Sequence, residues 1–216
     1  MLAMRGGICL PLLVLAFAVS AFAGTATYKL DFGTATSPVA EGFQVGEAPS
    51  LQETCDPSFS VTDEKGANPV EISFKGAIGG FSLGNESKPL TTDGIYTFKK
   101  RAEEGEAAAA PDDPISIDFV ISGLPVGSLV TFYGANAWNG AGRAAYISLG
   151  GSGMVDLAES SEPKPGASAL DSFVLIASKQ KVGADGKLAG VFSNSDGSKP
   201  RAEGQWGGLI LVVETP

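Results

Sequence analysis

The chain has 216 residues, with 15 lysines and arginines against 24 aspartates and glutamates, two cysteines and no histidine. A net charge of −9 leaves no electrostatic footprint for nucleic acid or an anionic membrane surface. The missing histidine excludes Ser-His-Asp and Cys-His catalysis and removes the commonest transition-metal ligand.

Residues 1–23 have the pattern of a signal peptide. Arg5 is their only charge, an apolar run follows from Ile8 to Val19, and Ala21-Phe22-Ala23 fits the small-x-small cleavage rule. The run is too short for a membrane anchor, which needs roughly 20 apolar residues, so no membrane insertion is expected. The mature chain from Gly24 is expected to be secreted, periplasmic or held at the cell surface. Cleavage would remove Cys9 and leave Cys55, so no internal disulfide is available. Cys55 then serves either as a small buried hydrophobe or as an intermolecular partner.

Beyond Gly24, short extended runs alternate with turns. Tyr28 to Gly33 is a strand ended by glycine, and the turn from Ser37 to Phe43 leads into a second extended piece. Phe59 to Thr62 is brief. Val70, Ile72 and Phe74 alternate with Glu71, Ser73 and Lys75, the period of a half-buried strand. Gly79 to Gly84 and Ile95 to Phe98 are weaker pieces. Between Lys99 and Pro114 a cluster of charges, a run of four alanines and two prolines predicts a solvated insertion, with a flap or metal loop as the functional alternative.

The stretch from Pro114 to Gly150 reads as three consecutive antiparallel strands. Ile115, Ile117, Phe119 and Ile121 alternate with polar residues, Gly123 to Gly127 makes a turn, and Ser128 to Tyr133 returns. Gly134 to Gly142 is an irregular loop, and Arg143 to Leu149 is the third run. Phe173 to Ala177 looks like a strand buried on both sides. Leu188 to Phe192 follows, and Trp206 to Val213 closes the chain as a central strand. Some ten short antiparallel strands without a long helix define an all-β fold, a single jelly-roll-like β-sandwich over residues 24–216.

An enzyme without histidine would need a carboxylate pair, as in glycoside cleavage. Asp31, Asp118, Asp156 and Asp171 lie nearest the expected strands, but their spacing does not place two of them face to face. Calcium would suit oxygen ligands from loops such as Asp112-Asp113, Asp185-Gly186 and Asn194 to Gly197. None follows the spacing of a helix-loop-helix calcium loop, and such turns are common in β proteins, so no metal site is assigned and no cofactor is expected.

Sugar binding requires aromatic faces for the ring and planar polar groups for the hydroxyls. Trp138, set between Asn136 and Asn139 with Arg143 just beyond, has that chemistry on a loop. Tyr133 and Tyr146 flank it and would extend a platform if their strands shared one solvent-side face. Trp206, beside Gln205, is the second candidate. For both tryptophans the alternative is a ring that caps one end of the core.

The segments YKLDFG, SPVAEGF, ISGLPVGSLVTFYGA and WGGLILVVE together resemble the galactose-binding-domain-like β-sandwiches of secreted bacterial proteins. The resemblance spans most of residues 27–214. It implies a carbohydrate-binding or surface-adhesion role, with a structural calcium in some members, but transfers no individual binding residue. The function expected is that of a non-catalytic module, with a glycan or a surface protein as partner. The ligand-binding residues expected are Asn136, Trp138, Asn139, Arg143 and Trp206. The alternative is a structural or adhesion module of the cell surface or extracellular matrix.

Overall fold

A computed structural model describes residues 24–48, 56–76, 78–82, 88–97, 114–137, 142–164, 166–198, 200–201 and 203–216. The expected signal peptide, Cys55, Trp138, Asn139 and nearly all of the segment from Lys99 to Pro114 lie outside the described residues.

The strands are β1 (Gly24–Gly33), β2 (Gln44–Glu47), β3 (Ser58–Val61), β4 (Val70–Lys75), β5 (Ile78–Ser82), β6 (Asp93–Thr97) and β7 (Ser116–Ser122). After them come β8 (Leu129–Ala135), β9 (Tyr146–Leu149), β10 (Val155–Asp156), β11 (Val174–Lys181), β12 (Leu188–Ser193), β13 (Gln205–Trp206) and β14 (Gly208–Thr215). The helical pieces among the described residues are short: α1 (Pro89–Thr92) and two single 3-10 turns, Leu157–Glu159 and Ala169–Asp171.

The strands form an all-β sandwich. One sheet has the order β11-β8-β14-β1-β2, the second β10-β9-β12-β7-β4-β3, and a small third sheet, β13-β6-β5, closes one side. The ladder between β1 and β2 is parallel, whereas the other ladders are antiparallel. Successive strands pass repeatedly from one large sheet to the other, the interleaved connectivity of a jelly-roll-like sandwich.

Alternation in the sequence sets the inner faces. Val70, Ile72 and Phe74 of β4 and Ile117, Phe119 and Ile121 of β7 are buried, while Glu71, Lys75, Ser116 and Asp118 face out. Burying each such side chain contributes about 1.5–3 kcal/mol relative to exposure. At the centre lies Trp206. Its ring is within 5.1–5.9 Å, centroid to centroid, of Phe32, Phe74, Phe119, Phe132 and Phe192. Those rings come from both large sheets, and Trp206 itself comes from the third. Its indole N–H donates to the Gly208 carbonyl at 2.8 Å, so the polar edge is satisfied without solvent.

A second, smaller cluster covers the outer face of the five-stranded sheet. There Ala40, Leu90 and Phe173 pack on Ala135 and Ile210, and Phe43 stacks on Phe173 at 5.8 Å.

The structure corrects three expectations about pairing. The runs that become β7, β8 and β9 are strands but not neighbours: β7 and β9 both flank β12, whereas β8 lies between β11 and β14 in the other sheet. The turn after β7 bonds across to the β11–β12 connection, Leu124 N–H to Gly186 O and Gly127 N–H to Val182 O, and so carries the chain across the core. The run from Trp206 to Val213 is divided between two sheets at Gly207. A Cβ at Gly207 would lie 2.0 Å from the Leu90 carbonyl oxygen, so only glycine fits where the strands part. Its β14 portion is central, as expected. Finally, β11 is an edge strand with two register shifts, and Leu175 is 47% exposed, not buried on both sides.

Replacing the central ring should open a large cavity. Trp206→Ala is expected to cost about 3–5 kcal/mol in urea denaturation, whereas Val126→Ala, at an exposed turn, should change stability by less than about 0.5 kcal/mol.

Candidate functional site

The loop between β8 and β9 stands on a fixed base. Asn136 is buried, and its backbone N–H donates to Ser160 Oγ at 2.6 Å. Ala137 is also buried and packs where Gly94 and Gly207 leave room: a Cβ at Gly94 would fall 2.6 Å from the Ala137 Cβ. On the other side of the loop Gly142 and Arg143 are exposed.

Both feet of this loop hang from the segment 205–207. Gly207 N–H donates to Ala135 O at 2.9 Å on one side, and Gln205 N–H donates to Arg143 O at 2.8 Å on the other. Two residues of extended chain separate the feet by about 7 Å. The Arg143 guanidinium is half exposed and lies 3.7 Å from Glu203 Oε2, which also accepts from Gln205 Nε2 at 2.9 Å.

Of the five sequence-predicted site residues, the structure therefore places Asn136 and Arg143 at the two feet of one loop. Asn136 is a buried anchor and does not present its side chain to solvent. Trp206 is corrected to a core residue. It is fully buried among five phenylalanines, so no face of its ring is open to a sugar; its contribution is to hold the base from which the loop hangs.

The tyrosine platform is also corrected. Tyr133 lies on β8 and packs against the outer cluster of the five-stranded sheet, whereas Tyr146 lies on β9 in the opposite sheet. Tyr146 sits beneath the Arg201 guanidinium, 4.3 Å from its ring centre. Arg201 in turn grips Asp156 through both nitrogens at 2.7 and 2.6 Å and donates to Ala144 O at 2.8 Å. Burial pushes the Asp156 carboxyl up, but the Arg201 bonds outweigh it and hold the pKa below its usual value. This fork pins the 194–204 segment, as does Asn194, which accepts from Ile115 N–H at 2.7 Å and donates to Arg201 O at 2.8 Å.

A different pair of residues carries the unusual electrostatics. Asp31, on the outer face of β1, and Asp93, the first residue of β6, are 2% and 0% exposed. Asp31 Oδ2 accepts from Ala40 N–H at 2.7 Å, but its Oδ1 and both carboxyl oxygens of Asp93 have no hydrogen-bond partner. Ser37 lies close enough to draw the Asp93 pKa down, although its hydroxyl is engaged by Thr34 and makes no well-formed bond to the carboxylate. Gly33 makes this approach feasible. A Cβ there would collide with Ser37 at 2.5 Å and sit 3.4 Å from Asp93 Oδ2.

Neither carboxylate is paired with a lysine or arginine among the described residues. Burial pushes Asp31 up to about 8, reinforced by the negative charges of Asp93 and Glu162 and opposed by the Ala40 N–H. Burial likewise pushes Asp93 up to about 7, with Glu162 adding to it. The other carboxylates considered from sequence do not pair: Asp118 is exposed on β7, Asp156 belongs to Arg201, and Asp171 is exposed in a 3-10 turn. Asp31 and Asp93 are enclosed beneath the 34–43 segment and do not flank an open groove.

Asp93 had no signal in the sequence. It sits in Thr-Thr-Asp-Gly, which looks like an ordinary turn, and becomes buried because Gly94 lets β6 approach within contact of Trp206 and Ala137. No family model, curated protein or solved structure compared with the chain matches it.

The pair makes stability depend on pH. Both folded-state pKa values lie above the unfolded value of about 4, so the native chain holds more protons than the unfolded one between about pH 4 and pH 8. Stability should therefore be greatest near and below pH 4 as far as this pair is concerned, and fall as pH rises to about 8. Asp31→Asn and Asp93→Asn should each flatten that fall in thermal melts recorded across the range.

Proposed function

We propose that the chain is an exported, non-catalytic β-sandwich module that binds carbohydrate through the loop between β8 and β9. The observation that carries this reading is the suspension of both loop feet from one short segment, 205–207, which is locked into the core by Trp206. Only residues 138–141 separate the buried root at Ala137 from Gly142. Trp138 is thus one residue from a rigid anchor, which lowers the entropy lost when an aromatic side chain is held against a sugar face.

In this reading Trp138 supplies the stacking surface, and Asn139 and Arg143 bond the hydroxyls. Asn136 fixes the root. The half-exposed Arg143 guanidinium, already oriented by Glu203, supports the assignment. So does the resemblance to galactose-binding-domain-like sandwiches, many of which bind carbohydrate. The leader-like sequence of residues 1–23 supports an extracellular or periplasmic setting.

A glycan array probed with the purified protein, with and without calcium, tests the proposal. A selective signal is expected, reduced at least about tenfold by Trp138→Ala while the melting temperature stays within about 2 °C. Undiminished binding by a folded Trp138→Ala variant would sink the site. Silence across the array would favour the structural or adhesion role.

A further inference from the structure

We propose that residues 34–43 form a latch over Asp31 and Asp93, opening as one unit when these carboxyls lose their protons while both large sheets stay folded. The inference is independent of carbohydrate binding. It starts from three carboxylate oxygens, Asp31 Oδ1 and Asp93 Oδ1 and Oδ2, that are buried without a hydrogen bond. A neutral acid tolerates such a place far better than a carboxylate does.

The surroundings supply no compensating charge. Glu162 adds negative potential at both acids, and Asp93 adds to that at Asp31. Ser37, in the segment itself, brings only a hydroxyl towards Asp93. On β1 the cation that shares the outer face with Asp31 is Lys29, which is held by Glu64 at 2.6 Å. The strands on either side place uncharged residues opposite Asp31, Gly208 of β14 and Val45 of β2. Glu41 of the segment, Glu47 of β2, Lys88 before α1 and Lys164 are exposed.

The attachment of the segment makes it the part that yields. Among the described residues its hydrogen bonds close on themselves. Thr34 N–H donates to Ser37 Oγ at 2.7 Å, Ser37 N–H to Thr34 O at 2.9 Å, and Phe43 N–H to Ala40 O at 3.0 Å. The bond that ties it to the body of the protein runs from Ala40 N–H to Asp31 Oδ2 at 2.7 Å, so the fastening passes through one of the acids. That bond favours the charged form, but burial outweighs it. Otherwise the segment is held by the packing of Ala40 and the stacking of Phe43 on Phe173 at 5.8 Å. Gly42, with a φ of +78°, turns the chain back towards β2.

Asp31, by contrast, belongs to a ladder of eight residue pairs with β14, and its neighbours Leu30 and Phe32 lie in the core. Lifting the segment brings water to the acids at the least cost. It leaves ladder and core intact and uncovers Leu90, Ala135, Phe173 and Ile210. With pKa values of about 8 and about 7 when covered, and about 4 when exposed, each acid releases a proton on opening between about pH 4 and pH 7. Rising pH therefore favours the open form.

Hydrogen exchange of the full chain, read by mass spectrometry from pH 5 to pH 6.5 and corrected for intrinsic rates, tests the latch. The opening constant of amides in 34–43 should rise by up to about a hundredfold per pH unit, two protons being released, while amides of β4 and β7 show no such rise. Asp31→Asn and Asp93→Asn, nearly isosteric with the acids, should each reduce the slope to about tenfold. Phe43→Ala leaves both acids in place and should raise the opening constant about tenfold at every pH with the slope kept. A flat profile in 34–43, or an equal rise in β4 and β7, overturns the latch. So does a wild-type slope retained by the folded aspartate variants, or, if neither folds, a slope lost in Phe43→Ala.

Discussion

The packing of one indole against five phenyl rings is the constraint on which the rest of this structure depends. Trp206 belongs to a two-residue strand of the smallest sheet, yet its ring touches side chains from β1, β4, β7, β8 and β12. An edge-to-face arrangement of that kind fixes orientation as well as separation, since aromatic quadrupoles favour tilted over parallel faces. The two large sheets therefore cannot slide or rotate past one another without disturbing several contacts together. Because the same short segment carries hydrogen bonds to both feet of the β8–β9 loop, rigidity generated in the core is delivered to the base of that loop.

Three glycines make this convergence feasible. Gly94, Gly207 and Gly208 lie where β6, α1, β14 and the loop root meet, and a Cβ at any of them would come within 2.7 Å of a neighbouring atom. Gly94 also has a φ of +154°, outside the range that other residues adopt readily. The close approach that seats Trp206 is the same approach that draws Asp93 out of water. Dense packing at the centre and an electrostatic tension at its margin thus have one origin.

Much of the fold was legible in the sequence, and the reason is periodicity. β4 and β7 display a period of two because each has one buried face, and the positions assigned inward are those found in the core. Sheet membership was not legible, since a strand looks the same whether its neighbour in sequence pairs with it or faces it across the sandwich. The two tryptophans show a related limit. Trp206 and Trp138 each sit among polar residues and glycines, and only the three-dimensional surroundings of Trp206 show it to be the centre of the core. The acid pair was half visible: Asp31 stood out as a carboxylate in a strand, but its partner lies 62 positions later by residue number and was brought to it by tertiary contacts alone.

The order of strands in the larger fold has a kinetic meaning. β14, the last strand, lies between β8 and β1, and the first and last strands pair from Gly24 opposite Thr215 through Asp31 opposite Gly208. A nascent chain has neither this central strand nor the indole of β13 until residues 205–215 have been made. Before then β1 lacks its long antiparallel partner, and the five phenylalanines between the sheets lack the indole they surround. Loop-closure entropy must be overcome across almost the whole length before these pairings return any energy, so acquisition of the native state is slow and late. The chain thus stays open until the strand that joins β1 to β8 has been made.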